Sequence, residues 1–79
     1  MRKCTAERAR INKHIGESLR MARNYRGLTQ ANIGAFLGVS FQQIQKYEKG
    51  KNSISASSLY ILSKALKFPL DYFFAGEMQ

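Results

Sequence analysis

The sequence predicts an all-α fold, a compact bundle of five short helices in a single domain. Three observations carry that expectation. Apolar residues recur at helical spacing, as in Ile11, Ile15, Leu19 and Ala22. Alternation of β-branched and polar residues is nearly absent. Capping and breaking residues (Gly27, Thr29, Gly38, Ser40, Gly50, Pro69) fall at intervals that suit short helices. A length of 79 residues with 44% hydrophobic side chains leaves room for one globular domain. A chain this short buries only about 60% of its unfolded surface, so each helix must contribute efficiently to the core.

The first helix is expected around residues 12–25, where Ile11, Ile15, Leu19 and Ala22 make one apolar face, and Gly27 ends it. Residues 1–11 are either a disordered basic arm or an extension of that helix, because "TAERARI" contains good helix formers. Thr29 suits the N-cap of a second helix, "QANIGAFL", with Ile33 and Leu37 facing inward and Gly38 stopping it. Ser40 caps a third, "FQQIQKYEK", which Gly50 closes. On it Ile44, Tyr47 and Glu48 share one face, while Gln42, Lys46 and Lys49 lie opposite with Gln45 beside them. "KNSIS" is a loop that offers Ser53 or Ser55 as the next cap. In the fourth helix, "ASSLYILSKALKF", Leu59, Leu62 and Leu66 form the stripe. Pro69 forbids its continuation, and a last helical turn is expected at "LDYFF". Residues 12–76 then make the domain, and 77–79 a tail.

The formal net charge is +8, and it is unevenly spread. Residues 1–26 carry Arg2, Lys3, Arg8, Arg10, Lys13, Arg20, Arg23 and Arg26 against Glu7 and Glu17. Such an excess attracts polyanions, either nucleic acid or an acidic membrane surface; the plainer alternative is a solvated basic surface. Cys4 is the only cysteine, which removes an internal disulfide and fits a reducing compartment; the simplest reading is an idle thiol. His14 is the only histidine and reads as a surface residue, so no zinc site is expected. The opening "MRKCTAERARINKH" lacks the apolar centre of a signal peptide, and "LYIL" is far too short to span a bilayer. Catalysis and a cofactor are not expected: no nucleophile pairs with a base, no carboxylates pair, and no glycine loop suits phosphate.

Two short helices joined by "GVS" have the geometry of a helix-turn-helix. Gly38 allows a left-handed turn, Val39 plugs the gap between the helices, and Gly34 leaves room where they cross. The stretch that follows, "VSFQQIQKYEKG", is rich in neutral amides although the chain is strongly basic. A purely electrostatic binder has little use for glutamine; a protein that reads something does.

Residues 15–74 resemble the helix-turn-helix domain of the phage-repressor-like family, also called Cro-type or xenobiotic-response-element-type regulators. The resemblance rests on "LTQANIGAFLGVS", "IQKYEKGK" and "LSKALKFPLDYFF". It implies a lambda-repressor-like bundle with the third helix in the major groove of double-stranded DNA. By position it implies that Phe41, Gln42, Gln45 and Lys46 face bases. It implies that Gln30, Gln43, Lys49 and Lys51 meet phosphate, with Gln30 also bracing the third helix. Arg23 and Glu48 match a partly buried ion pair that joins the first and third helices in some members. Glutamine suits adenine N6/N7, lysine suits guanine O6/N7, and an aromatic edge suits a thymine methyl. Extra arginines would strengthen binding to every sequence alike.

The plainer readings are a solvated helix face for Gln42 and Gln45, packing of Phe41 onto the second helix, and a surface ion pair for Arg23 and Glu48. Tyr47 reads as core with a wet hydroxyl, and Tyr72, Phe73 and Phe74 as core or a dimer contact. The sequence departs from the family at Asn32, where an acidic residue is common, and at Phe36, often polar. It departs again at Lys67 and Phe68, where a glycine and an aliphatic residue are usual. The resemblance implies a regulator of transcription, a repressor, acting as a homodimer on an inverted repeat in a bacterial or phage-infected cytoplasm. An antitoxin-like module that binds a protein partner, and regulates itself through DNA, is the alternative. A membrane-surface peptide is disfavoured because the bundle uses the apolar stripes.

Overall fold

The computed structural model describes the backbone of residues 2–76 and the side chains of residues 5–76. The tail at 77–79 and the side chains of Arg2, Lys3 and Cys4 lie outside the described residues. Four α-helices and one 3-10 helix follow in order: α1 (Arg2–Tyr25), α2 (Gln30–Leu37), α3 (Phe41–Glu48), α4 (Ala56–Leu66) and the 3-10 helix Leu70–Phe74. The expected fifth helix is therefore the tighter 3-10 form. Pro69 caps it without a side-chain hydrogen bond, and its five residues suit a form that seldom runs long. Residues 2–11 continue α1 rather than hanging as an arm.

Each element contributes a wholly buried apolar side chain. Leu19 of α1, Ile33 of α2, Ile44 of α3, Leu62 and Leu66 of α4 and Phe73 of the 3-10 helix meet at the centre. Burying one such side chain stabilises by about 1.5–3 kcal/mol, and no single helix could bury its own stripe. Ile11, Leu37, Tyr47, Tyr72 and Phe74 are partly buried against this centre, so the aromatic end of the chain is largely core.

The helix ends follow local chemistry. The Thr29 hydroxyl accepts from the Asn32 amide nitrogen at 3.0 Å, and the Asn32 side chain accepts from the Thr29 nitrogen at 2.9 Å. Asn32 thus closes a reciprocal cap without the acidic residue common in the family. Ser40 and Ser55 cap α3 and α4 by accepting from Gln43 and Ser58. Gly38 turns the chain left-handed at φ 70° between α2 and α3.

The end of α4 is built differently. Lys67 takes the left-handed conformation at φ 59°, which a side chain disfavours. Its surroundings hold it there. The Ser63 hydroxyl donates to the Phe68 carbonyl at 2.6 Å. Arg26, just beyond α1, donates to the carbonyls of Leu66 and Lys67 at 2.7 and 3.1 Å, and its guanidinium stacks on the Phe68 ring at 4.8 Å. A cation at a helix C-terminus also complements the helix dipole.

Candidate nucleic-acid interface

The α2–turn–α3 unit depends on close backbone approach. A β-carbon at Gly34 would collide with the Val39 carbonyl, so only glycine lets the turn fold back over α2. A β-carbon at Gly16 would sit on the carbonyl oxygens of Tyr47 and Glu48, so α1 crosses the end of α3 backbone against backbone.

Glu48 lies at that crossing and is only 6% exposed. Arg23 Nε donates to Glu48 Oε2 at 2.7 Å, and Arg23 Nη2 to Oε1 at 3.1 Å, a two-pronged pairing. The Arg23 and Glu48 side chains are 13% and 4% exposed. The plain surface-pair reading is thereby excluded. Gln30 Nε2 donates to Glu48 Oε1 at 3.0 Å, and Arg23 Nη1 to the Leu28 carbonyl at 3.0 Å. A carboxylate at the C-terminal end of α3 opposes that helix's dipole, and the guanidinium offsets this. One buried carboxylate therefore ties α1, α2 and α3 together.

The opposite face of α3 is open. Phe41, Gln42, Gln45 and Lys46 are all exposed, at positions that share a helix face. Phe41 is 46% exposed at the first turn, at the edge between this face and the inward stripe of Ile44 and Glu48, three and seven residues further on. Lys49 forms the C-cap of α3, and Lys51 stands exposed in the loop beyond Gly50. Gln43 is half-buried, and its amide donates to Asn52 Oδ1 at 3.2 Å, tying α3 to the same loop. Gln30 is half-buried and committed by one hydrogen to Glu48; its amide carries a second.

Sequence reasoning named these side chains but missed several that position them. Asn12 of α1 donates to Ser53 Oγ at 2.9 Å and so fixes the loop carrying Lys49 and Lys51. The Tyr72 hydroxyl donates to the Ser18 carbonyl at 2.8 Å and fastens the 3-10 helix to α1. Burial raises the Tyr72 phenol above its ordinary value of 10.0. His14 is half-buried in the middle of α1, not at a free surface near its start. No helix among the described residues is long and apolar enough to cross a membrane.

The family model for helix-turn-helix proteins matches residues 19–73, and the chain belongs to that family. A protein described as an uncharacterized transcriptional regulator in the ATPase CF(0) region of Rhodospirillum rubrum is 51% identical over 65 residues, covering 82% of this chain and 60% of the relative. Repressor protein C2 of Salmonella phage P22 is more distant, 33% identical over 64 residues, covering 81% of this chain and 30% of the repressor. The chain thus spans little more than half of the first relative and a smaller part of the second. Among solved structures, the restriction-modification controller protein C.AhdI from Aeromonas hydrophila superposes with a TM-score of 0.73 at 24% identity, over 80% of this chain and 96% of that one. That likeness is one of fold.

Proposed function

We propose that the chain is a sequence-specific regulator of transcription, a repressor, that reads double-stranded DNA with α3 in the major groove. The observation that carries this reading is the two-sidedness of α3. One side is locked through Glu48 to Arg23 and Gln30, and the other leaves Gln42, Gln45 and Lys46 exposed, with Phe41 exposed at its edge. A rigid helix with an open face of hydrogen-bonding side chains suits recognition of base edges. In this reading Gln30, Gln43, Lys49 and Lys51 hold phosphates. Gln30 uses its second amide hydrogen, and the loop fixed by Asn12 presents the lysines. The net charge of +8 favours encounter with DNA.

The recognition helix is short, so a homodimer on an inverted repeat doubles the sequence read, with half-site centres about 34 Å apart or a multiple of it. The 3-10 helix and the turn before it suit the dimer contact: Leu70 is exposed, beside an open groove lined by Tyr60, Phe68 and Pro69. The site of action is the cytoplasm, where the DNA lies. Selection of bound sites from a random duplex pool, then binding of variants to operator and scrambled duplex across a salt series, tests the reading. Gln42→Ala and Lys46→Ala are expected to weaken operator much more than scrambled DNA. Lys49→Ala and Lys51→Ala are expected to weaken both alike and to reduce the salt slope by about 1. An unchanged specificity ratio for the first pair would remove α3 as the reader.

An antitoxin-like role, with a protein partner, draws its support from Phe36, which is 43% exposed on α2. Co-purification of a small partner from the native host would separate it from the first reading.

A further inference from the structure

Residues 5–10 of α1 do nothing for the core. All are exposed, and Ile11 is the first side chain to pack against the buried cluster. A helix of 24 residues is about 36 Å long, and its N-terminal third projects past the bundle.

Its direction is fixed by two contacts with the loop after α3. Asn12 donates to Ser53 at 2.9 Å. A β-carbon at Gly50 would come within 2.6 Å of the Lys13 α-carbon, so α1 lies directly on that loop. Arg8 precedes Asn12 by four residues and therefore stands on the same stripe, about 6 Å farther out. Lys13, Lys49 and Lys51 are exposed around the crossing, and "KGKNSIS" at 49–55 contains no acidic residue. Glu7, the acidic neighbour of Arg8, pairs with Arg10 at 3.9 Å. Arg10 lies around the helix from the Asn12 stripe.

We propose that Arg8 and Lys13 of α1 continue the Lys49–Lys51 loop as a phosphate-binding edge that holds duplex backbone flanking the half-site. This rests on the reading of α3 as the DNA-reading helix and adds contacts outside its footprint. The edge carries no base-reading amide, so it grips any flanking sequence. An acidic lipid surface is the competing occupant of such a basic edge.

The test uses the whole chain and its selected operator in two duplexes. One ends flush at the outer edges of the inverted repeat, and the other carries about ten further base pairs of random sequence on each side, roughly one helical turn. The wild-type protein is expected to bind the extended duplex more tightly, with a salt slope steeper by about 4, two counterions for each protomer. Arg8→Gln and Lys13→Gln are each expected to cut that gain, and the double variant to abolish it, whereas Lys49→Gln weakens both duplexes and keeps it. Thermal melting of Arg8→Gln and Lys13→Gln checks that the fold is intact. Equal binding of the two duplexes by the wild type, or a gain that survives both Arg8→Gln and Lys13→Gln, overturns the proposal while leaving the operator reading standing. Failure to select any operator overturns both. Arg8-dependent binding to phosphatidylserine vesicles, with no gain from flanking DNA, assigns the edge to a lipid surface instead and also overturns it.

Discussion

Arg23 is the residue on which the interface leans most. Its guanidinium satisfies both oxygens of Glu48 and the Leu28 carbonyl, so removing it strands a buried carboxylate. Arg23→Ala is expected to cost about 3–5 kcal/mol, read as a lower melting midpoint, with DNA binding weakened as α3 loosens. An unchanged midpoint would show that water replaces the guanidinium at no cost. The Arg23–Glu48 pair was legible in the sequence because both residues match a family pattern at a fixed spacing. Arg26 was not legible. Its partners are the carbonyls of Leu66 and Lys67, and a carbonyl carries no trace of residue type. Tyr72 was missed as a fastener for the same reason. Tyr72→Phe tests that bond. It is expected to cost about 0.5–1.5 kcal/mol near neutral pH. The raised phenol means that the folded chain keeps a proton which the unfolded chain loses above about pH 10. The stability from Tyr72 is therefore whole below pH 10 and is lost as pH climbs through the folded value. Melting curves of both proteins are expected to converge above pH 10, and a constant gap would refute this.

At the scale of elements, the caps were the most legible part of the sequence. Thr29, Ser40 and Ser55 each accept a backbone hydrogen bond at the start of a helix, because a short side-chain oxygen before an apolar stripe has few other uses. Two features less legible than the caps, the start of α1 and the helical type of the last turn, have physical reasons. The start of α1 holds only Cys4, Ala6 and Ala9 as small apolar residues and no apolar stripe, so propensity left both an arm and a helix open. The 3-10 turn at Leu70–Phe74 shows the same local pattern as a short α-helix. The end of α4 shows tertiary structure overriding preference, since Ser63 and Arg26 hold a lysine where glycine fits better. Lys67→Gly is expected to stabilise by about 0.5–1 kcal/mol, because relief of the left-handed strain exceeds the added freedom of the unfolded chain. Chemical denaturation gives the sign: a lower midpoint would mean that the lysine side chain contributes packing its backbone cost does not cancel.

For the whole molecule, the all-helical class and the composition of the core followed from periodicity, and the helix-turn-helix followed from "LGVS" in its context. Which side of α3 faces outward was legible too, because Ile44 and Glu48 could only point inward together. The loop geometry around Asn12, Gly50 and Ser53 was not, since it arises where segments distant in sequence meet. The two-sided α3 has a consequence for how such a protein diversifies. The residues facing out share no hydrogen bond with the Glu48 network, so they are free to change as a set. Replacing Gln42, Gln45 and Lys46 together with other polar residues is expected to change the unfolding free energy by no more than about 0.5 kcal/mol per position, as for surface sites generally. A fresh selection experiment would then return a different operator for a protein of unchanged stability. On the proposed reading, a few exposed codons of α3 carry the choice of address on the chromosome, and the buried carboxylate beneath carries the fold.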